Sequence, residues 1–478
     1  MSKRLIALIL ALLLLLSCAC ASSSRVRDTD EDRQTYSGKK EKKDPEKEKK
    51  DPEREAEPAE ENEFEGLFDL FSNEKPKEKP KSEAAAAVPE ESEEAYAETV
   101  ETRPPEEPAK KVKVGFICLH DEQSTYDLNF INAARAACAE LGVTDFIIKM
   151  NIAEGIECFD AASDLVESGC NIIFANSYGH QDLMVAAAVY YPDVEFCHCS
   201  GVTAHTERLP NFHNAYAAIH EGRYLTGVAA GLQLNEMIAA GKITADQARI
   251  GFVGTFTYAE VISAYTAFFL GARSVCPEAT MEVTFAGSWY DEMAEYECAQ
   301  KLIGGGCVLI SQYSESPGAP RACEEAGVLN VSYTVNNSYT CPNTYLIGSR
   351  IDWTPYYEYA INAVMQGDQI ATDWTGDLST GSVVLLDPNP NVMSVSMMQS
   401  LATVEDGLRD GRIHVFDTAT FTKDGAPLTD YMADVDNDPA FLPDTQVVSD
   451  GYFHESEYRS APYFDIMIDG ITLLDTMY

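Results

Sequence analysis

Aromatic and polar side chains recur where predicted strands of this 478-residue chain end. Residues 120–127 follow the first predicted strand, residues 176–180 follow the third, and residues 288–291 follow a strand in the second half. Tyr and Trp rings can stack on both faces of a flat heterocycle, while Asn, Asp, Gln and Ser side chains can hydrogen-bond to its polar edge. The pattern predicts a cleft that holds a neutral aromatic solute.

The candidate ligand contacts are the strand-end residues that carry a ring, a hydroxyl, an amide or a carboxylate. They are Asp121, Ser124, Tyr126, Ser177, Tyr178, Tyr258, Trp289, Gln312, Tyr333, Asn336, Asp352 and Trp353. Lys and Arg are nearly missing from these loops. An anionic ligand, which needs such cations, is therefore disfavoured.

A second group of residues has the chemistry of metal ligands. Cys197, His198 and Cys199 are consecutive, and His205 and His213 follow them. On a strand the first and third side chains share a face and the middle one points away, so the trio cannot readily hold one zinc ion. We expect small buried side chains here and no metal.

Motifs of catalysis are absent from the sequence. It contains no G-x-S-x-G nucleophile elbow, no H-E-x-x-H zinc motif and no dinucleotide fingerprint after the first strand. Asp121, Glu122 and Asp291 could supply carboxylates for an enzyme acting on nucleosides, but no base and nucleophile are paired. We expect a non-enzymatic binding protein without a cofactor.

Strands and helices alternate along residues 111–478. Predicted strands cover residues 112–119, 145–150, 171–176, 194–199, 249–254, 281–285, 307–312 and 328–333, and predicted helices cover residues 126–141, 161–167, 182–190, 221–240, 258–275, 292–303 and 320–326. Near-continuous apolar strands between helices indicate parallel sheets covered on both faces. Two successive series predict an α/β fold of two doubly wound lobes with a ligand cleft between them.

The predicted domain organisation follows from this alternation. Lobe 1 is expected at residues 111–247 with a returning segment at about residues 354–390, and lobe 2 at residues 248–353. Residues 391–478 are expected to form a C-terminal extension that packs on the lobes. The chain has 13 cysteines, and the sequence leaves open whether they form disulfides or remain thiols.

The first residues have the features of an export signal. Lys3 and Arg4 precede an apolar run at residues 5–16, which is shorter than the ~20 residues of a membrane-spanning helix. We predict a lipoprotein signal peptide at residues 1–20 with Cys18 as the lipidation site. Cys20, or cleavage of an ordinary signal peptide, is the alternative.

Residues 21–110 are rich in Lys, Glu and Pro, as in KKEKKDPEKEKKDPEREAEP. Such a segment cannot bury enough apolar surface to offset its conformational entropy, which predicts a disordered tether. The formal net charge of the chain is −42. A charge of this sign excludes a general nucleic-acid binder, because phosphate contacts need clustered cations.

Several stretches, in order along roughly residues 113–386, resemble one family. They are NIIFANSYGHQD, EGRYLTGVAAGL, FLGARSVCPEATMEV, SWYD, ISQYSESPGAPRACEEAGV and DWTPYY. The family is the BMP (basic membrane protein) family of ABC-transporter substrate-binding lipoproteins, relatives of the purine nucleoside receptors. The resemblance implies two lobes of the periplasmic-binding-protein type I kind, joined by three crossovers. They would close on a purine nucleoside or nucleobase and deliver it to a membrane permease.

The resemblance also implies roles for individual residues. Tyr126 matches an aromatic position that stacks on the base, and Tyr178 and Trp353 match two other aromatic positions. Where the nucleoside-binding branch carries an Asp for the ribose hydroxyls, this chain has Asn336 and Asn337. A free base such as adenine is therefore as plausible as a nucleoside.

The predicted location is the outer face of a bacterial cell membrane, reached through the lipid anchor. A ligand-sensing surface receptor with the same lobes and a binding protein for another small solute are the alternatives. A surface adhesin is the remaining option, suggested by the long tether.

Overall fold

Two sheets form the frame of residues 111–435 and 445–476, the part of the chain that the computed structural model describes. The predicted signal peptide, Cys18 and the tether lie outside the described residues. In chain order the main strands are β1 (Val114–Ile117), β2 (Phe146–Lys149), β3 (Ile172–Ala175), β4 (Glu195–Cys199), β5 (Phe212–Ala217), β6 (Arg249–Gly254), β7 (Thr280–Phe285), β8 (Leu309–Gln312), β9 (Leu329–Tyr333), β10 (Tyr345–Ile351), β11 (Asp373–Gly376) and β12 (Val383–Leu386).

Short strands follow in the C-terminal extension, and helices connect the strands throughout. The short strands are β13 (Met432–Ala433), β14 (Thr445–Gln446), β15 (Val448–Ser449), β16 (Tyr452–Phe453) and β17 (Ile471–Leu473). The helices are α1 (Thr125–Glu140), α2 (Ile156–Glu167), α3 (Gln181–Tyr190), α4 (Ala204–Glu207), α5 (Ile219–Ala239), α6 (Ala259–Val275), α7 (Glu292–Gly304), α8 (Gly318–Ala326), α9 (Thr354–Gln366) and α10 (Val395–Arg409).

Each sheet is the centre of one lobe. The sheet of lobe 1 has the order β11-β5-β4-β3-β1-β2, and the sheet of lobe 2 has the order β12-β10-β9-β8-β6-β7-β17. All neighbours in these two sheets are parallel except β10 and β12. β1 and β3 are buried along their whole length, as expected of strands covered on both faces. The predicted α/β fold of two doubly wound lobes is confirmed.

The chain crosses between the lobes at three places. One crossover lies at Ala218 between β5 and α5, the second at residues 352–353 before α9, and the third at residues 377–382 between β11 and β12. The amide of Ala218 donates to the carbonyl of Gly376 at 2.7 Å, and the amide of Asp352 donates to the carbonyl of Ser382 at 2.8 Å. The three crossovers therefore form one hydrogen-bonded hinge.

The position of the first crossover corrects the predicted lobe boundaries. Helix α5 belonged to lobe 1 (residues 111–247) in the prediction, but it packs on α6 and β10 of lobe 2. Strand β12 belonged to the returning segment 354–390, but it pairs with β10. The reason is that the chain leaves lobe 1 directly after β5, a strand that the sequence pattern did not predict.

Glycines allow α5 and α6 to approach to backbone contact. A Cβ added at Gly227 of α5 would lie 2.0 Å from the carbonyl oxygen of Phe268 in α6. A Cβ added at Gly271 of α6 would lie 2.0 Å from the carbonyl oxygen of Tyr224 in α5. Since both obstacles are backbone atoms, no side-chain rotation relieves them.

The C-terminal extension is bonded to both lobes. Its helix α10 packs on α5, and its strand β17 pairs with β7 at the edge of lobe 2. The amide of Ser460 donates to Asp373 of lobe 1 at 2.8 Å, and Ser263 of lobe 2 donates to Glu455 at 2.7 Å. The extension therefore connects the lobes on the side of the hinge.

The cysteines among the described residues are all free thiols, and all except the half-buried Cys298 are buried. Burial raises their pKa values, that of Cys158 to about 12. Cys197 and Cys199 are small core residues and His198 is buried beside them, as predicted for this strand. Within residues 111–435 and 445–476, no helix has the length and apolar character needed to cross a membrane.

We predict that Gly227→Ala lowers the free energy of unfolding by about 3 kcal/mol or more, because the added methyl group forces α5 and α6 apart. Gly304→Ala is the control, since a Cβ there meets no atom within 4 Å. The Gly304→Ala variant gains the same helix propensity, up to about 1 kcal/mol, without a clash. Denaturant unfolding of both variants measures the difference. Equal stabilities would contradict the close packing of the helices.

Candidate functional site

A cleft lies between the lobes, at the carboxyl ends of their strands. Its walls come from both sides and are mainly aromatic and acidic. The lining residues are Leu119, Tyr126, Asp127, Ser177, Tyr178 and Ser200 from lobe 1, and Glu260, Trp289, Tyr313, Glu315 and Tyr333 from lobe 2. In parallel α/β sheets, ligands bind outside the carboxyl ends of the strands, so the location fits a ligand site.

Five of the predicted site residues line this cleft: Tyr126, Ser177, Tyr178, Trp289 and Tyr333. A sixth, Tyr258, lines the adjoining cavity, which shares Tyr178 with the cleft. The rings of Tyr178 and Tyr258 stack with centroids 5.6 Å apart. The structure therefore brings together the aromatic half of the predicted set.

Two further predicted residues are buried behind the walls. Ser124 caps the amino terminus of α1 by accepting from the amide of Asp127, and its hydroxyl donates to Glu315 at 3.1 Å. The side-chain amide of Gln312 donates to the carbonyl of Ser314 at 3.1 Å. Both residues position the loop that carries Glu315 and do not line the cleft.

Three polar residues of the predicted set lie away from the cleft and bond elsewhere. Asp121 accepts from Asn151 at 3.2 Å. Asn336 donates to the carbonyl of Asp387 at 3.1 Å. Asp352 pairs with the guanidinium two residues earlier in the chain, that of Arg350, at 2.8 Å.

Trp353 lies in the core beneath the cleft. Its side chain is 1% exposed. It stacks on Phe130 with a centroid distance of 4.6 Å and meets Tyr216 edge-on at 6.0 Å. Since Phe130 in turn contacts Tyr126 at 4.8 Å, Trp353 supports a lining residue from behind.

The floor of the cleft is a hydrogen-bonded network of three tyrosines and one glutamate, which we call the phenol network. Tyr216 of lobe 1 donates to Glu260 of lobe 2 at 2.5 Å, and Tyr313 donates to the same carboxylate oxygen at 2.8 Å. Tyr333 donates to the hydroxyl of Tyr313 at 3.1 Å, and these two rings stack at 4.3 Å. The network joins the lobes across the cleft.

Arg223 of α5 lies behind the phenol network. It is fully buried, donates to Ser311 at 2.7 Å and lies 5.4 Å from the ring centroid of Tyr333. Burial lowers its pKa to about 10. Burial also raises the pKa of Glu260, and the two phenol hydrogen bonds offset only part of that effect.

A second acidic group lies at the side of the cleft. Glu315 is 5% exposed. Burial raises its pKa well above the usual range, and the nearby charge of Asp127 raises it further. A raised pKa favours the protonated form of the carboxyl group, which can donate a hydrogen bond as well as accept one.

Asp127 titrates in the opposite direction. Burial raises its pKa, but hydrogen bonds from His120 and Asn176 outweigh burial, so the net pKa is lowered. The bond to Asp127 raises the pKa of His120, against the opposing effect of burial. The ring Nδ1 of His120 and the carboxylate are 3.2 Å apart. Asp127 and Glu315 thus face one another with pKa values shifted in opposite directions, which favours the charged form of Asp127 and the protonated form of Glu315.

His120, Asp127 and Glu315 also have the geometry of a cation site, since one potential ligand atom from each lies within 4.8 Å of the others. Each of the two carboxylates already accepts a hydrogen bond from a protein side chain. These bonds account for the group without an ion.

The mouth of the cleft is closed by aromatic contacts between loops. Tyr178 of lobe 1 stacks on Tyr258 of lobe 2, and Trp289 lies 6.0 Å from Tyr258. The cleft leaves about 20 Å³ for the centre of a water molecule. That is room for about one water molecule, so a flat heterocycle enters only when the loops or lobes separate.

Sequence reasoning missed Asp127, Glu260, Tyr313 and Glu315 as site residues. Asp127, Tyr313 and Glu315 stand in the strand-end loops from which the candidates were drawn, so the same signal could have found them. Glu260 is in the first turn of α6, where an acidic residue is typical of any helix. Its role depends on Tyr216, which is distant in sequence.

Two α/β lobes joined by three crossovers, with an aromatic cleft between them, define a two-lobed solute-binding protein. The comparison with protein families gives a more specific assignment. Residues 143–409 match the Bmp family, described as "ABC transporter substrate-binding protein PnrA-like". The chain belongs to this family of ABC transporter substrate-binding proteins, which confirms the predicted resemblance.

Two curated relatives carry names that state a ligand. An ABC transporter glucose-binding protein TsgA13 of Haloferax volcanii is 34% identical over 240 residues, which are 50% of this chain and 58% of that protein. A purine-binding protein of Brucella abortus is 30% identical over 264 residues, which are 54% of this chain and 70% of that protein. The chain thus spans less than two thirds of the first relative and slightly more than two thirds of the second.

A solved solute-binding protein of an ABC transporter system from Aeropyrum pernix K1 has the same fold. It superposes with a TM-score of 0.55 at 15% sequence identity, over 64% of this chain and 93% of that chain. At this identity the likeness concerns the fold alone.

We predict that Asp127→Asn lowers the pKa of His120 toward its ordinary value of 6.5, because the hydrogen-bonded charge is lost. A raised folded-state pKa adds stability that is complete below the ordinary value and is lost as the pH rises through the raised one. The NMR titration of the His120 ring measures the shift. Asp121→Asn is the control, since Asp121 contributes the weakest of the charge effects on His120. An equal fall in both variants would contradict the pairing.

Proposed function

We propose that this chain is an extracytoplasmic, lipid-anchored solute-binding protein of an ABC importer. In this proposal it binds a purine between its lobes and delivers it to a membrane permease. Membership of the Bmp family supports the transport role. The aromatic cleft, and the purine-binding relative, support the ligand class. The anchor at Cys18 rests on the sequence pattern of residues 1–20.

The observation that carries the purine proposal is the combination of rings with carboxyl groups in one cleft. A purine is flat, and it offers ring nitrogens that accept hydrogen bonds next to N–H groups that donate them. Tyr178 and Trp289 supply rings for stacking. The raised pKa of Glu315 favours a carboxyl group that can donate to a ring nitrogen and accept from an adjacent N–H, while the lowered pKa of Asp127 favours a carboxylate that can only accept.

A free base fits the cleft better than a nucleoside. The base needs less separation of the lobes, and the closed cleft is small. Asn336 lies in the region where the nucleoside-binding branch carries an Asp for the ribose hydroxyls. Its side chain bonds to the carbonyl of Asp387, away from the cleft. We therefore place free purine bases ahead of nucleosides.

Binding without chemistry is part of the proposal. The polar groups of the cleft are engaged with one another, as in the bonds of Glu260 to two tyrosines and of Ser124 to Glu315. The family to which the chain belongs consists of substrate-binding proteins. Turnover of a purine by the purified protein would contradict this part.

Glucose is the second candidate ligand, favoured by the name of the Haloferax relative. Sugars also stack on aromatic rings, but they present hydroxyl groups around their edges and need many polar partners. The lining of this cleft offers five aromatic rings, and its acidic groups already accept hydrogen bonds from other protein side chains. We place glucose second for that reason.

We predict that adenine or guanine raises the melting temperature of the protein and that calorimetry gives a dissociation constant for the same base. A base concentration of ~100 times that constant adds ~2.7 kcal/mol to the free energy of unfolding. Trp289→Ala and Tyr178→Ala should each weaken binding by about 1 kcal/mol or more, since each removes a stacking ring. Tyr339→Ala is the matched control, because Tyr339 is 97% exposed and does not line the cleft.

The same titration with adenosine and with glucose separates the alternatives. Tighter binding of adenosine than of adenine would overturn the preference for a base. A response to glucose without a response to any purine would overturn the purine proposal. Equal losses of affinity in Trp289→Ala, Tyr178→Ala and Tyr339→Ala would show that the cleft is not the binding site.

A further inference from the structure

A second cavity lies at the hinge, between the crossovers and the C-terminal extension. We call it the hinge cavity; its volume is about 250 Å³. One side is formed by Ala218, His220 and Glu221 after the first crossover, and by Asp377 at the third. The opposite side comes from residues 408–416 and 452–457 of the extension. It shares no lining residue with the cleft.

The polar lining of the hinge cavity is acidic. Glu221 and Asp377 lie on the crossover side, and Glu455 and Glu457 lie on the extension side. Within the described part of the chain, no Lys or Arg lines the cavity. The apolar part of the lining consists of Leu408, Ile413, Val415 and Phe416.

Two buried polar groups in this lining have no hydrogen-bond partner among the described residues. They are the ring Nδ1 of His220 and the hydroxyl of Ser456. His220 is 8% exposed and Ser456 is 5% exposed. Buried polar groups are nearly always paired, so these two atoms point to a missing partner.

The protonation of the lining indicates what kind of partner is missing. Burial lowers the pKa of His220 to about 3, so its ring is neutral and one ring nitrogen can accept a hydrogen bond. Burial raises the pKa of Glu221 and of Glu455 to about 7 each, although the charge of Arg409 acts against the shift at Glu221 and that of Arg459 against the shift at Glu455. A bound cation would stabilise the charged form of both carboxylates, and a donor group would satisfy His220.

A bare metal ion does not fit this arrangement. Among the described residues, the group with metal-binding spacing is the one in the cleft, and it includes none of the hinge acids. The acids come from two separate parts of the chain, the crossovers and the C-terminal extension, and apolar side chains share the lining with them. A molecule with ammonium groups at both ends of an aliphatic chain matches that pattern.

We propose that the hinge cavity binds a small aliphatic diamine, with one ammonium group at Glu221 and His220 and the other at Glu457. The acidic lining, its lack of lysine and arginine, and the two unpartnered polar atoms carry the proposal. The proposal does not depend on the ligand of the cleft.

Calorimetry of the full chain with 1,4-diaminobutane tests this site, with 1,4-butanediol as the neutral probe of equal length. We expect heat of binding for the diamine and none for the diol. Glu221→Gln and Glu457→Gln should each weaken binding about tenfold or more, since each removes a charge-assisted hydrogen bond. Glu457 is largely exposed, so its variant keeps the test valid if the first one fails to fold.

Glu278→Gln is the matched control, because Glu278 is exposed and its loss changes the net charge equally. Unchanged affinity in this control and in Trp289→Ala supports the hinge cavity. Equal weakening by Glu278→Gln would show unspecific attraction to an acidic protein and overturn the proposal. Weakening by Trp289→Ala would assign the diamine to the cleft and also overturn it. Absence of diamine binding overturns it directly.

Discussion

The bond between Tyr216 and Glu260 is the interaction on which the closed arrangement of the lobes depends. It is short, it lies beneath the cleft, and it joins the last strand before the first crossover to the first turn of α6. A carboxylate in this position is costly to bury without partners. The phenols of Tyr216 in lobe 1 and Tyr313 in lobe 2 are these hydrogen-bond partners. Separating the lobes therefore exposes Glu260 to solvent or leaves it buried without the hydrogen bond from Tyr216.

Other parts of the structure follow from this constraint. Thr125 of lobe 1 donates to the carbonyl of Glu315 at 2.6 Å and accepts from Thr334 of lobe 2 at 2.7 Å. These bonds join the two lobes in addition to the phenol network. On the far side, the C-terminal extension ties both lobes together near the hinge. The cleft therefore lies between two sets of interlobe bonds.

The sequence predicted the loops of the site better than the individual side chains. Alternating strands and helices place the strand-end loops at one edge of each sheet, which is why Tyr126, Tyr178 and Trp289 come together. The direction of a side chain depends on neighbours that are distant in sequence. Trp353 is in a strand-end loop, yet it packs on Phe130 in the core. Lobe membership of α5 was likewise missed, because β5, the strand before the first crossover, was not predicted from the hydrophobic pattern.

The closed aromatic mouth has a kinetic consequence. With Tyr178 stacked on Tyr258, a solute in the medium meets a shut entrance and is captured only during spontaneous openings. The observed rate of capture then rises with solute concentration at first and levels off at the opening rate of the lobes. At high solute concentration, capture is limited by the motion of the lobes and no longer by diffusion of the solute.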